Sequence, residues 1–182
     1  MIRSIYFFVS LAIALPIWVI IYGLVSAGCL TPVAPFDWQA WVSLVVVFPI
    51  AEEYIFRGLL MGLFSKYFYP GGFLQVTRSN FFASCIFSAV HVLSQSWVTG
   101  FAVFLPSLYL GWIREKTNSV PLCAATHILW NFGFFLAATL AYRWRQITHY
   151  PTAVILARYD SPHRLRKRPK RASAKINGKI GS

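Results

Sequence analysis

The stretch VVVFPIAEEYIFRGLL, residues 45–60, sets two adjacent glutamates and an arginine in the middle of an apolar run. Outward from it, the run extends over Trp41–Phe64, longer than the roughly 20 mostly apolar residues that a transmembrane helix needs. Each charge at the centre of such a helix costs about 2.5–3.5 kcal/mol. Three unpaired charges would cost roughly 7–10 kcal/mol, as much as the whole stability of many domains. Glu53 and Arg57 are four residues apart and share a helix face, which offsets part of that cost. Glu52 is turned about 100° away and has no partner on its own helix. A glutamate kept there needs a reason other than folding.

Three more long apolar runs surround this one: Ile5–Ala27, Asn80–Trp97 and Val120–Tyr142. A shorter run, Phe101–Ile113, contains Pro106 and reads either as a kinked span or as a re-entrant piece. Of the 182 residues, 57% are hydrophobic and 12% charged, against about 25% charged in a soluble domain. The expected fold is all-α, a polytopic transmembrane bundle of about five helices. Residues 1–40 would form the first transmembrane helix and its connection, residues 41–145 a catalytic intramembrane core, and residues 146–182 a basic, mostly disordered tail. The first apolar run exceeds the 7–15 residues of a signal-peptide core, which favours a retained span. A lipoprotein-type cleavage before Cys29 is disfavoured because Ser26, not an aliphatic residue, stands three positions earlier. Cys29, Cys85 and Cys123 form no CxxC pair and suggest neither a disulfide framework nor a thiolate metal site.

The net charge of +12 is concentrated at one end, where nine of the 17 Lys and Arg residues lie between Arg158 and Lys179. With few apolar residues, this tail cannot bury a core. It suits an electrostatic grip on anionic lipid, worth about 1 kcal/mol per basic residue near the surface. No aromatic platform accompanies the charge, so nucleic acid is not expected as a partner. Trp38, Trp41, Trp97, Trp112 and Trp144 fall near span ends, as an interfacial belt requires, whereas Trp18 and Trp130 do not. The positive-inside rule places the connections flanked by Lys66, Arg78, Arg114 and Lys116 on the cytoplasmic side. Five full spans would then leave the basic tail on the other side, so the orientation stays open.

Two other helices offer partners for Glu52. FSAVH, residues 87–91, places His91 in one span, and HILWN, residues 127–131, places His127 and Asn131 on one face of the last. Counted from the Lys66/Arg78/Arg114/Lys116 side, Glu52, His91 and His127 lie roughly 20, 17 and 12 Å deep. All three could line one cavity. A carboxylate with an imidazole can deprotonate a water and later protonate a leaving amine. A second imidazole and an amide can donate hydrogen bonds to the oxyanion of a tetrahedral intermediate. No Ser or Cys stands beside a base at a suitable spacing, which favours activated water over a covalent nucleophile. No cofactor is expected, although Glu52, His91 and His127 could also make a two-His, one-carboxylate zinc site. Pro49 removes a backbone bond to the carbonyl of Val45, loosening the helix just before Glu52.

Glu52-Glu53-x-x-x-Arg57, Phe87-x-x-x-His91 and His127-x-x-x-Asn131, in that order on successive helices, resemble the three motifs of the CPBP (Abi) intramembrane peptidases. That family includes the CAAX prenyl endopeptidases, and the likeness covers about residues 42–141. The resemblance implies Glu52 and His91 as the water-activating pair, His127 and Asn131 as the oxyanion-stabilising pair, and Glu53 and Arg57 as supporting residues. It implies an intramembrane endopeptidase acting on a membrane-anchored protein or C-terminal tail, in CAAX-like or sorting-signal processing. The expected location is multi-pass in a bacterial cytoplasmic membrane. Two other classes fit the same residues: a catalytically silent scaffold or bacteriocin-immunity protein, and a transporter subunit using intramembrane Glu and His to relay protons.

Overall fold

The computed structural model describes residues 2–29, 37–68, 72–73 and 76–165. Among them are five helices: α1 (Ile2–Ser26), α2 (residues 38–67), α3 (Arg78–Ser94), α4 (Trp97–Thr117) and α5 (Val120–Leu165). A two-residue antiparallel ladder pairs Gly72 with Thr77 and Phe73 with Val76, just ahead of α3. The all-α class expected from the apolar runs is therefore the class observed. The segment around Pro106 is not a separate piece: α4 runs unbroken through it for 21 residues. At 1.5 Å per residue that is about 31 Å, the thickness of a bilayer core.

The chain divides into two units, residues 1–143 and residues 144–182. The second unit is helical through Leu165, although the sequence places the end of the last apolar span at Tyr142. A helix satisfies its own peptide groups and needs no core to continue, so the loss of hydropathy does not end it. The rest of the expected tail, residues 166–182, lies outside the described residues, as does the connection at residues 30–36.

Within the first unit, charged and polar groups are buried alongside apolar ones while many large apolar side chains face outward. Glu53 is 0% exposed, Arg57 2%, and Ser10, Asn80, Ser84, Ser107 and Thr126 are also buried. Leu93, Phe101 and Leu105, by contrast, are 87%, 71% and 71% exposed. Apolar surface on that scale needs an apolar surrounding. Two helical stretches, Ser4–Ser26 and Val120–Thr148, are long and apolar enough to cross a membrane.

Three contacts fix the packing that positions the site. Ser88 Oγ donates to the carbonyl of Gly100 at 2.6 Å, and a Cβ on Gly100 would stand 2.2 Å from Val92 Cγ2. Only glycine lets α3 and α4 approach so closely. Asn118, at φ 50°, ends α4 in the left-handed conformation that asparagine tolerates. Trp18 Nε1 donates to the carbonyl of Trp130, and Trp130 Nε1 donates to that of Ser10, so α1 is pinned to α5. These are the two tryptophans the interfacial belt does not account for. Each indole N–H needs an acceptor when it leaves water, and each finds a backbone carbonyl.

Candidate active site

Helix α2 carries the acidic pair and is irregular around it. It starts at the N-cap Asp37, whose side chain accepts from the Gln39 N–H. It then alternates α-helical stretches (Trp38–Val42, Phe48–Glu53, Met61–Tyr67) with π-helical ones (Ser43–Val47, Tyr54–Leu60). π turns are rare and cluster at functional sites. The first lies just before Pro49, and its register decides which carbonyl the proline leaves bare. The Phe48 N–H donates to Ser43 O, five residues back. The next nitrogen in that register belongs to Pro49, which has no hydrogen to give to Leu44 O. The carbonyl of Leu44 is therefore offered a hydrogen by neither Phe48 nor Pro49. Asn131 Nδ2 on α5 donates to Leu44 O at 3.0 Å and supplies the missing bond.

This assigns Asn131 a positioning task in addition to any chemistry. Asn131→Ala is expected to cost about 1–3 kcal/mol, the cost of a carbonyl left unpaired. In a Pro49→Ala background, where an N–H returns, the same change should cost clearly less. Unfolding midpoints in detergent for the four chains of this cycle check it; equal costs in both backgrounds would sink the assignment.

The second π stretch holds Arg57, and the spacing-predicted pair forms: Arg57 Nη1 donates to Glu53 Oε1 at 2.8 Å. The same oxygen accepts from His127 Nδ1 at 2.9 Å. Because a carboxylate only accepts, the His127 proton on that side must sit on Nδ1. Its other nitrogen, Nε2, lies 3.9 Å from Glu52 Oε2. His127 therefore stands between the two carboxylates, one buried and hydrogen-bonded, the other 29% exposed and just beyond direct contact. Glu53 Oε2 is buried and has no hydrogen-bond partner among the described residues.

His91 lies in the last turn of α3, with Nδ1 2.9 Å from the carbonyl of Phe87. A carbonyl cannot donate, so Nδ1 carries the hydrogen and a neutral His91 has its lone pair on Nε2. The Phe87 ring links the cluster, with its centroid 4.4 Å from that of His91 and 6.2 Å from that of His127. The Arg57 guanidinium carbon lies 5.1 Å over the same ring. Phe87 is the shared wall of three polar groups.

Sequence reasoning missed the other side of Arg57. Arg57 Nη2 donates to both the carbonyl and the hydroxyl of Ser107, each at 2.8 Å. Ser107 Oγ donates to Ser84 Oγ at 3.0 Å, Ser84 Oγ to Asn80 Oδ1 at 3.2 Å, and Asn80 Nδ2 to Leu108 O at 3.0 Å. The signal was Asn80 and Ser84, four apart in an apolar span, facing a serine that follows Pro106. A buried arginine needs acceptors for its donors, and Ser107, backed by this chain of groups, takes those of Nη2. Among the described residues no three His, Cys, Asp or Glu side chains form a group able to hold a metal ion.

Such a cluster can hold water against a carboxylate and imidazoles inside an apolar bundle. Residues 34–133 match the family model described as type II CAAX prenyl endopeptidase Rce1-like. The chain belongs to the Rce1-like family. Comparison with curated proteins and with solved structures finds no match. The family match covers more than half of the 182 residues and takes in Glu52, Glu53, Arg57, His91, His127 and Asn131. It makes the chain a membrane protein and a protease of the CAAX type, as its motifs suggest.

Proposed function

We propose that this Rce1-like chain is a multi-pass intramembrane endopeptidase of the glutamate-activated-water kind. The observation that carries this reading is His127 set between Glu52 and Glu53, at 3.9 and 2.9 Å, inside a bundle with an apolar exterior. Glu52 has the accessible carboxylate and takes the proton of the attacking water, with the His91 Nε2 lone pair as its partner. The water oxygen bonds to the scissile carbonyl carbon, and the proton passes on to the leaving nitrogen as the C–N bond breaks. His127, with Nδ1 fixed by Glu53, presents Nε2 to the site and donates from it to the oxyanion when the ring carries both protons. The Asn131 amide bonds Leu44 O with one hydrogen and has a second for the same oxyanion. Glu53 and Arg57 position these groups rather than react. The substrate is a membrane-anchored protein or a C-terminal tail whose scissile bond reaches the polar cavity, in a bacterial cytoplasmic membrane.

The test compares terminal peptides of membrane proteins from host cells carrying wild type or Glu52→Gln at equal expression. New termini made only by wild type establish proteolysis and identify the substrate. Identical termini would favour the silent scaffold or the proton-handling subunit. Repeating the wild-type arm with a chelator decides between the glutamate reading and the zinc alternative, which predicts that the new termini disappear.

A further inference from the structure

A cavity of about 390 Å³ opens at one end of the bundle, where α2 ends, α3 begins and α4 ends. Arg57 belongs to its lining and lies eight residues from Ser65 at the mouth, roughly 12 Å along the helix. Three arginines (Arg57, Arg78 and Arg114) and one carboxylate, Glu115, line it. Arg57 is engaged with Glu53 and Ser107, whereas Glu115 accepts from Thr77 Oγ1 at 2.7 Å. Neither Arg78 nor Arg114 has an ion pair among the described residues. Arg114 gives Nη1 to the Asn118 side-chain oxygen, and its Nε is buried with no hydrogen-bond partner.

A buried guanidinium N–H without an acceptor is costly, and the surplus charge in the cavity is positive. Both features call for an oxyanion. We propose that this cavity holds the headgroup phosphate of an anionic phospholipid, gripped by Arg78 and Arg114. A guanidinium edge matches two phosphate oxygens at once. The cavity sits where helices end, the level at which a multi-pass protein meets headgroups, and basic pockets between spans take acidic lipids. Met61 and Phe68 in the same wall give the glycerol and upper acyl carbons an apolar surface. The first turn of α3, with Arg78 and Ser79 in the lining, adds the positive end of a 17-residue helix. The proposal rests on the multi-pass reading above but not on the peptidase chemistry, and its test needs no turnover.

Full-length protein is placed in nanodiscs of phosphatidylcholine with phosphatidylglycerol, at high salt to screen the diffuse pull of the basic tail. The lipid retained on release is identified by native mass spectrometry. Wild type should keep phosphatidylglycerol over phosphatidylcholine, and Arg78→Gln/Arg114→Gln should lower that preference about tenfold, as losing charge-assisted hydrogen bonds implies. Lys116→Gln removes an exposed charge close by but outside the cavity, and should change nothing. Equal loss in Lys116→Gln, or none in the double variant with its unfolding midpoint unchanged, overturns the proposal. If the double variant fails to fold, Arg78→Lys/Arg114→Lys, which keeps charge but not the two-pronged grip, must show a reduced preference instead. A peptide probe separates the remaining alternative: on Glu52→Gln protein, a cavity preference for a free C-terminal carboxylate over its amide, lost in the double variant, overturns the lipid assignment in favour of a substrate-end site.

Discussion

Glu52→Gln is expected to lower the peptidase rate by about 10²–10⁴-fold, the usual contribution of a positioned general base. It should do so without harming the fold. Glu52 makes no direct hydrogen bond among the described residues and keeps 29% of its side chain accessible, and glutamine fills the same volume without the charge. An intramembrane charge costs about 2.5–3.5 kcal/mol, so the variant should unfold no earlier than wild type. Loss of activity with stability kept is the signature of a residue retained for chemistry. Purified protein assayed on the substrate found by terminal-peptide comparison, alongside its unfolding midpoint, gives both readouts. A rate within about threefold of wild type would remove Glu52 from the reaction, because no general base of that kind contributes so little.

Arg57→Met should have the largest effect on stability, about 3–5 kcal/mol, because it leaves the fully buried Glu53 carboxylate without its counter-ion. The Ser107 carbonyl and hydroxyl lose their shared donor in the same step. Replacing both partners, as in Glu53→Leu/Arg57→Met, removes the uncompensated charge and should recover most of the loss. Activity should not return with it, because His127 Nδ1 no longer has the acceptor that orients the ring. Unfolding in detergent and the cleavage rate, measured on both variants, separate the two roles. If Arg57→Met cost under about 1 kcal/mol, the pair would be behaving as an exposed ion pair does. If the double variant cleaved normally, Glu53 would not be positioning His127.

Much of this protein could be read without its structure, and the reason is the bilayer. A span must be about 20 apolar residues long and must satisfy its own backbone, so helices announce themselves in the chain. Charges inside such runs are costly enough that Glu52, Glu53, Arg57, His91, His127 and Asn131 stand out one by one. The four-residue spacing was sufficient for the Glu53–Arg57 pair, because helix geometry alone brings those side chains together. The all-α class, the order of the motif helices and their family followed from sequence for the same reason.

Tertiary structure alone decided how those groups are shared out. That one Glu53 oxygen serves both Arg57 and His127 depends on how α5 packs against α2. Asn131 answers the carbonyl left bare by Pro49 only because a π turn shifts the register by one residue, which local sequence does not reveal. The Ser107–Ser84–Asn80 chain below Arg57 joins residues 23 and 27 positions apart across two helices. Serine and asparagine are common enough in apolar spans to pass as helix glue. Their task becomes visible only when an arginine 50 residues before Ser107 in the chain arrives with donors to place. Periodicity acts within a helix and is fixed by local geometry, whereas the site consists of contacts between helices, which packing alone can specify.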